Sequence, residues 1–337
     1  MRITNQTPIP AAVVPNAEDD RVVGLFVAAA TFQIVGERLV LAEQQLPLLL
    51  VVPPPGVSDG NPTKAGTSVC ATGFVYAPSG QARQAAARLT VGETERGILA
   101  FGTRVWAGSL GDPTPTTPLP FDRVPMTWAH AYGGSVFRKT TLVKLASGEE
   151  AIVPQHDEAC PLNFDGVGFY LERAEAIDQP LPQLEDPAAP IRSFRDQPDP
   201  VCFGPYPLHG GLRARALIGD DGKVDVARAG LALSRAAPST TFATVPPGTR
   251  VVLEGMRPAG AALAFTVPVA PVTADVTIGA VEQRLILHVD AVDIDAEASR
   301  VRVAYRALFA YALIQHEERN LRVEASPALA SMLSMTE

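Results

Sequence analysis

Proline and glycine interrupt this chain so often that long helices are excluded as its main element. The 337 residues include 31 prolines and 27 glycines, and the apolar runs between them are short. Frequent breaks of this kind favour strands and turns over long helices. An apolar content of 47% with 19% charged residues is typical of a well-packed globular protein. The sequence therefore predicts a mainly β fold with few short helices.

Both ends of the chain show the pattern of successive antiparallel strands. The run RVVGLFVAAATFQIV (21–35) meets the turn GE and then RLVLAEQQLPLLLVV (38–52), which predicts a hairpin. A second hairpin is predicted over 84–106, with its turn at GETE. Near the C-terminus, QRLILHVDAVDID (283–295) and RVRVAYRALFAY (300–311) are predicted strands. We expect β-sandwich-like regions at both ends of the chain.

An irregular centre separates these two regions. Strand alternation disappears there, and proline and glycine become frequent. A structureless loop of this length is improbable in a compact domain, so we expect a folded but irregular layer. The chain is accordingly divided into an N-terminal β region (1–117), a motif-rich Pro/Gly-rich central region (118–238) and a C-terminal β region (239–337). Whether the two β regions pack as one body stays open at this point.

Helices are expected to be few. The best helical window is VDVARAGLALSRAAP (224–238), inside the central region. Pro238 is expected to end it, because proline lacks the N–H that a helix interior needs.

Charge, cysteine content and hydropathy exclude several classes of partner. A net charge of −8 without a basic cluster argues against nucleic acid. The three cysteines (Cys70, Cys160 and Cys202) form no C-x-x-C pair and no disulfide framework. The apolar stretches are shorter than the roughly 20 residues of a membrane helix, and the N-terminus lacks the pattern of a signal peptide. The expected location is the cytoplasm, without membrane insertion.

The histidines offer no recognisable catalytic or metal site. His156 begins HDEAC, which ends at Cys160, but zinc-site spacings such as H-E-x-x-H or paired C-x-x-C are absent. His209 begins HGG, yet the G-x-S-x-G elbow of an α/β-hydrolase is missing. His130 stands before the paired glycines of TWAHAYGG (127–134). We expect no enzyme activity, no metal and no cofactor.

Two acidic stretches give no functional site either. GDDGK (219–223) is interpreted as a hairpin turn, because it lacks the alternating ligands of a calcium loop. The odd spacing of Asp290 and Asp293 predicts that they lie on opposite faces of a strand. Neither stretch therefore supports a paired-carboxylate site.

Four motifs occur in order in the central region. They are FDRVPMTWAHAYGG (121–134), NFDGVGF (163–169), LPQLEDP (181–187) and DPVCFGPYPLHGGLR (199–213). Together they resemble an uncharacterised-domain family that is encoded in bacterial type VI secretion clusters, near spike proteins, PAAR-repeat proteins and toxin effectors. The resemblance extends more loosely over the flanks, from about Arg21 to Phe309. Departures from the family pattern include Phe164 in place of a proline, Ser68 and Thr103 in place of aspartates.

The motif positions are candidates for structural or partner-binding roles rather than catalytic ones. In the first motif they include Trp128 and His130, which we expect to form part of the irregular layer. The candidate residues are Trp128, His130, Ala131, Gly133, Gly134, Asn163, Gly166, Gly168, Phe169, Glu185, Phe203, Gly204, Pro205 and Arg213.

The resemblance implies a non-catalytic adaptor or chaperone. Such a protein would bind a toxin effector in the cytoplasm and help to load it onto the type VI secretion spike, with a PAAR-repeat or spike protein as a second partner. One alternative is a β-sandwich module that binds a small ligand or a carbohydrate. Another is a hydrolase that uses His130, His156 or His209.

Overall fold

In the computed structural model, strands are the main regular element of the chain. Described are residues 1–18, 21–50, 59–108, 112–134, 137–144, 147–148, 150–160, 162–170, 173–207, 210–219, 223–312, 314 and 317–329. The strands are β1 (Arg2–Asn5), β2 (Ala11–Glu18), β3 (Arg21–Val35), β4 (Arg38–Leu41), β5 (Thr67–Thr72), β6 (Phe74–Tyr76), β7 (Gln84–Val91), β8 (Thr94–Phe101), β9 (Trp106–Ala107), β10 (Thr114–Pro115), β11 (Arg123–Pro125), β12 (Phe137–Lys144), β13 (Glu150–Cys160), β14 (Leu184–Glu185), β15 (Thr241–Phe242), β16 (Arg250–Glu254), β17 (Leu263–Thr266), β18 (Val272–Ile278), β19 (Val281–Arg284), β20 (His288–Asp295), β21 (Arg300–Ala312) and β22 (Arg319–Ala325).

Helices are short wherever the structure describes them. The α-helices that lie wholly within the described residues are α1 (Arg173–Ala176), α2 (Gly210–Ala216) and α3 (Ala229–Ala232), and residues 327–329 are also helical. Single 3-10 turns lie at Pro78–Gly80, Trp128–His130, Val226–Arg228, Pro238–Thr240 and Pro258–Gly260. None of the described helices is long and apolar enough to cross a bilayer. The mainly β prediction with few short helices is confirmed.

The largest sheet contains strands from both ends of the chain. Its order is β15-β5-β20-β21-β3-β2, and β4 pairs with β3 beyond the end of β2. The predicted hairpin at 21–52 forms through β3 and β4, with Gly36 in the left-handed region at φ 64°. Its second strand is shorter than predicted. After Ala42 the chain crosses the outer face of the sheet instead, where the Gln45 amide bonds the backbone of Thr31.

A five-stranded sheet packs against the inner face of this large sheet. Its order is β14-β8-β7-β16-β17, so it also mixes strands from the two ends of the chain. Alternate residues of β3, such as Phe26 and Phe32, meet alternate residues of β7 and β16, such as Leu89 and Leu253, in one buried cluster. This alternation is what a strand buried on one face requires. The N- and C-terminal β regions therefore share both large sheets and one core.

A third sheet extends the core, and shorter pairs decorate it. The order β1-β22-β18-β19 contributes Val276 and Val323 to the same cluster. Two-stranded pairs join β9 with β10, β6 with β11 and β12 with β13. Two pairings are parallel, β5 with β20 and β1 with β22. They connect strands that are distant in sequence, which local alternation could not reveal.

Charged side chains are buried on the outer face of the large sheet. Arg302 on β21 pairs with Asp59 from the crossing segment, and its Nη1 lies 3.2 Å from Asp293 Oδ2 on β20. Asp293 Oδ1 in turn accepts a 2.6 Å bond from Arg235 Nε. The side chains of Arg302 and Asp59 are only 5% and 1% exposed. This network fastens segments from all three parts of the sequence to one sheet face.

The prediction that Asp290 and Asp293 lie on opposite strand faces is wrong. A β-bulge shifts the pairing of β20 with β21 between Val289 and Ala291, and the extra residue reverses the side-chain parity. Asp290 Oδ1 lies 3.3 Å from Arg306 Nε. Since Arg306 is four residues from Arg302 on β21, both aspartates face the same side. Lys64 Nζ also lies 3.0 Å from Asp290 Oδ2. Each of the two carboxylates therefore pairs with two cations, Asp290 with Arg306 and Lys64, and Asp293 with Arg302 and Arg235.

Two further sequence predictions need correction. The helical window 224–238 contains only the 3-10 turn Val226–Arg228 and α3, which ends at Ala232. The helix ends there because Ser234 turns inward, where its Oγ lies 2.7 Å from Oγ of Ser68 on β5. The predicted strand 283–295 is divided into β19 and β20 by the change from one sheet to another.

We predict that Gly24→Ala destabilises the core. Gly24 stands directly opposite Phe309, and a methyl group at this position would lie 2.5 Å from Cζ of the buried ring. Overpacking of this kind costs about 1–3 kcal/mol, measurable by urea unfolding. The double variant Gly24→Ala/Phe309→Leu should recover part of the loss. Equal losses in the single and double variants would contradict this contact as the cause.

Candidate functional site

The first three family motifs lie side by side and are joined through backbone. Gly133 N donates to Val167 O at 2.9 Å, and Val167 N donates to Ala131 O at 3.2 Å. Ala131 also forms an isolated bridge with Leu184. The motifs that the sequence shows in order are thus neighbours in space.

Asn163 joins the first and second motifs from a fully buried position. Its Nδ2 donates to Trp128 O at 2.7 Å and to Tyr132 O at 3.4 Å. Its backbone N donates to Gly133 O at 2.6 Å. Because buried carbonyls need donors, this side chain supplies what a neighbouring strand would otherwise provide.

Two glycines of the second motif permit this close approach. A Cβ at Gly166 would lie 2.6 Å from Asn163 Nδ2 and 2.7 Å from Ala131 O. Gly168 has φ +86°, and a Cβ there would lie 2.5 Å from Pro182 Cδ. The same packing places Gly133 against Phe169. The glycines are required by contact between motifs.

The glutamate of the third motif forms a buried ion pair. Glu185 Oε1 lies 2.5 Å from Arg104 Nη2, and both side chains are almost completely buried. Glu185 Oε2 accepts from Ile191 N at 3.0 Å. Burial raises the pKa of Glu185, and the positive charge of Arg104 opposes that rise. The pair anchors the third motif to the chain that leaves β8.

The fourth motif is fastened to the first through its aromatic residues. Trp128 Nε1 donates to Gly204 O at 3.2 Å, and the Trp128 ring lies 5.3 Å from the Tyr206 ring. Phe203 is buried, and its carbonyl accepts from Ala71 N of β5 at 2.8 Å. Pro205 is exposed and lines a separate cavity above Asp293.

Arg213 of α2 collects four backbone carbonyls. Its guanidinium donates to Tyr206 O at 2.5 Å, to Pro207 O and Ala232 O at 2.7 Å each, and to Ser234 O at 2.5 Å. It also lies over the Tyr206 ring. Burial lowers the pKa of Arg213 to about 10, so the side chain stays charged at neutral pH.

His130 lies at the edge of this layer. Its Nδ1 is 2.8 Å from Thr127 Oγ1, and the residue is half-buried. Burial lowers its pKa, so the ring is neutral at pH 7.

Gly134, at φ +70°, follows two residues after Tyr132 and packs on Leu162.

An open groove lies where the motifs meet. It has a volume of about 500 Å³. Its floor contains Trp128 and Tyr206, and its walls carry Arg215 from α2 and Arg228. Asp199, 3.7 Å from Arg215, faces it from the start of the fourth motif. The groove therefore combines an aromatic floor with charged walls of both signs.

The other histidines of the sequence analysis lie outside the side chains that the structure describes. His156 and Cys160 belong to β13, whose side chains lie outside the described residues, as do His209 and His316. Across the predicted turn GDDGK, Gly219 N donates to Lys223 O at 2.8 Å. Residues 220–222 of this turn lie outside the described part of the chain. Within the described part of the chain, no group of three His, Cys, Asp or Glu side chains could hold a metal ion.

Sequence reasoning missed most of the groove walls. Asp199, Tyr206 and Arg215 stand within or beside the fourth motif, but their types alone did not single them out. Their proximity to the matched residues Pro200 and Arg213 was the available signal. The cysteines provide no signal for the groove, since Cys70 and Cys202 are buried free thiols.

We predict that Gly166→Ala loosens the motif layer. The added methyl group must displace either the Asn163 amide or the Ala131 carbonyl, and leaving a buried polar group unsatisfied costs about 1–3 kcal/mol. Chemical denaturation measures the loss. Gly97→Ala is the matched control, because a Cβ there meets only Pro187 Cγ at 3.2 Å. Equal stability of the two variants would show that the contact is easily relaxed.

We also predict that Arg104→Met is strongly destabilising. It leaves Glu185 buried without its cation, and breaking one side of a buried pair costs about 3–5 kcal/mol. Arg88→Met is the control, since Arg88 and Glu95 are 3.9 Å apart and more than half exposed. Such surface pairs contribute about 0–1 kcal/mol. Similar losses in both variants would contradict the assigned role.

The loss in Arg104→Met should depend on pH with a defined sign. Removing the guanidinium takes away the charge that lowers the pKa of Glu185, so the rise that burial causes is less opposed. The native state then binds a proton that the unfolded state has released, so stability falls as pH rises through the native pKa. The deficit relative to the wild type should be smaller at acidic pH than at alkaline pH. A constant deficit would contradict this prediction.

Comparison with known proteins identifies a family. No curated protein and no solved structure matches the chain. One family profile matches residues 19–306, a range that includes all four motifs. The chain therefore belongs to the DUF2169 family, described as an uncharacterized protein conserved in bacteria.

Proposed function

We propose that this chain is a non-catalytic adaptor that binds a secreted toxin effector in the bacterial cytoplasm and helps to load it onto the type VI secretion spike. The observation that carries the proposal is the groove between the motifs. Its floor and walls are formed by Trp128, Tyr206, Arg215 and Arg228. Arg215 is exposed and Arg228 is partly exposed, and arginine is a residue type that protein interfaces concentrate.

The build of the groove supports recognition of a preformed surface. Tyr206 is held at its hydroxyl by Leu212 O at 2.7 Å, and Trp128 is held at its ring nitrogen by Gly204 O. A floor fixed in this way loses little conformational freedom on binding, which favours affinity. The family motifs thus supply the contacts that hold the floor of the groove in place, and a rigid recognition surface needs such contacts.

The secretion assignment rests on the resemblance of the four ordered motifs. These motifs resemble those of proteins encoded beside spike and PAAR-repeat genes, and the first, third and fourth contribute lining residues to the groove. The partners we propose are therefore a toxin effector and a PAAR-repeat or spike protein. These partners are named by family analogy, and co-expression with them tests the assignment directly.

No observation favours either alternative function. Trp128 and Tyr206 are 6% and 4% exposed, so the groove presents no open aromatic face on which a sugar ring could stack. The His130 ring meets a threonine hydroxyl at the exposed edge of the layer. Among the described residues, no carboxylate forms a hydrogen bond or ion pair with this histidine, whereas nucleophilic triads use such a group to orient the base.

We predict that groove variants lose the effector. The tagged chain is co-expressed with the effector and PAAR-repeat proteins encoded next to its gene, and the purified complexes are quantified. Arg215→Glu reverses a wall charge, and Ser239→Arg places a long side chain at the rim. Each change should lower recovery of the effector by about tenfold or more, as expected for interface hot spots.

Arg88→Glu is the matched control, since Arg88 is another exposed arginine beside a carboxylate. It should retain the effector. All variants are checked for wild-type thermal unfolding first. Failure of the wild type to capture any neighbouring product would refute the adaptor proposal, whereas capture by all variants would move the binding surface away from the groove.

A further inference from the structure

Strand β21 is longer than the partner on one of its edges. It pairs with β3 along its whole length, from Arg300 to Ala312. On the other edge β20 pairs with it only as far as Arg306. No strand in the described part of the chain pairs with that edge over 307–312. Every second residue there directs its backbone N–H and C=O towards the open side.

A groove lies where this edge becomes free. It has a volume of about 490 Å³ and is lined by Arg306 and Leu308 of β21, by the start of β20 and by the connector before it. Ile286 of that connector is 76% exposed and Leu308 is 51% exposed. The open edge is thus accompanied by apolar side chains that a partner could cover.

The edge strand β19 shows how charges can protect an edge, whereas the open edge of β21 meets a charge only at its far end, where Arg319 Nη2 donates to Ala312 O at 3.2 Å. Both β1 and β19 end the third sheet, and all four residues of each are exposed. Strand β19 carries Glu282 and Arg284, which discourage edge-to-edge pairing. On β21 the exposed side chains along the open segment are Leu308, Ala310 and Ala312, none of which is charged.

The charge of this groove favours an acidic occupant. Its ionisable lining residues are Arg306 and His288, and no lining residue is Asp or Glu, although the chain carries a net charge of −8. Arg306 is fixed by Asp290 at its Nε and by Lys64 O at its Nη2. The Arg306 side chain is 19% exposed, so the groove carries its positive charge, and a carboxylate is the complementary group.

We propose that the open edge of β21 accepts an extended segment of a partner protein as an additional strand. The segment spans about six residues, or ~20 Å, with apolar side chains at alternate positions and a carboxylate placed at Arg306. This is β-strand addition, in which backbone bonds give affinity and side-chain pockets give specificity. The surface shares no lining residue with the motif groove, so the inference goes beyond the proposed function and does not require the secretion assignment.

The test selects ligands directly on the purified full-length chain. A displayed library of random peptides about ten residues long is enriched for binding, and the dissociation constants of the selected peptides are measured by fluorescence anisotropy. The enriched peptides should alternate apolar and polar residues and carry an acidic group. Leu308→Glu and Ile286→Glu should each weaken binding about tenfold or more. Hydrogen exchange should show new protection within 307–312 on binding.

Val35→Glu is the matched control, because Val35 is a strand residue that is 53% exposed, against 51% for Leu308. It should bind like the wild type. The proposal is overturned if no peptide is enriched, if binding survives both groove variants, or if protection appears elsewhere. It is also overturned if the edge serves a second copy of the chain, which sedimentation would show as a dimer lost in Leu308→Glu. Loss of peptide binding with retained effector capture would leave the motif groove as the adaptor site.

Discussion

The fold depends on an ionic network that is buried on the outer face of the seven-stranded sheet. Asp59, Arg235 and Arg302 come from the N-terminal, central and C-terminal parts of the chain, and Asp293 connects the two arginines. Buried ion pairs add little net stability, but an unpaired member is strongly unfavourable. Displacement of the segment that carries Asp59 or Arg235 would therefore leave a charge of the network without one of its partners. This network joins three stretches that look independent in sequence into one body.

In the central layer, backbone is buried without a large sheet around it. Few neighbouring strands are present to donate to its carbonyl groups, so side-chain donors bond these carbonyls instead. Asn163 serves two carbonyls, Arg213 serves four, and Arg104 serves Pro182 O in addition to Glu185. A side chain with several donors can do this only from a fixed position. That requirement explains why the motifs contain so many small and rigid residues around so few polar ones.

Local features of the fold could be predicted from the sequence, and features of long range could not. The hairpins around Gly36 and Gly92 follow from alternation and turn residues, which act between neighbours. The bulge at Asp290 reversed a parity argument, since one inserted residue moves a side chain to the other face. Helix α3 is shorter than its window because Ser234 bonds to the sheet, a tertiary contact that propensity does not contain.

The candidate site was predictable only as a set of motifs. Their order along the chain pointed to a shared role, but not to the contacts through which Asn163 and Gly166 join them. The groove itself depends on Tyr206 and Arg215, whose positions follow from the folding of α2 against the fourth motif. Aromatic and charged residues are common in every sequence, so their convergence is visible only in three dimensions.

The two surfaces place different demands on a partner. The motif groove is bounded by side chains that hydrogen bonds hold in place, so a partner must match a fixed shape. The open edge of β21 offers backbone groups, which any extended segment can satisfy, and Arg306 then discriminates by charge. A folded domain suits the first surface and an unstructured acidic segment suits the second. Since binding at both would raise the effective concentration at each, a partner that carried both elements would bind more tightly than a partner that carried only one.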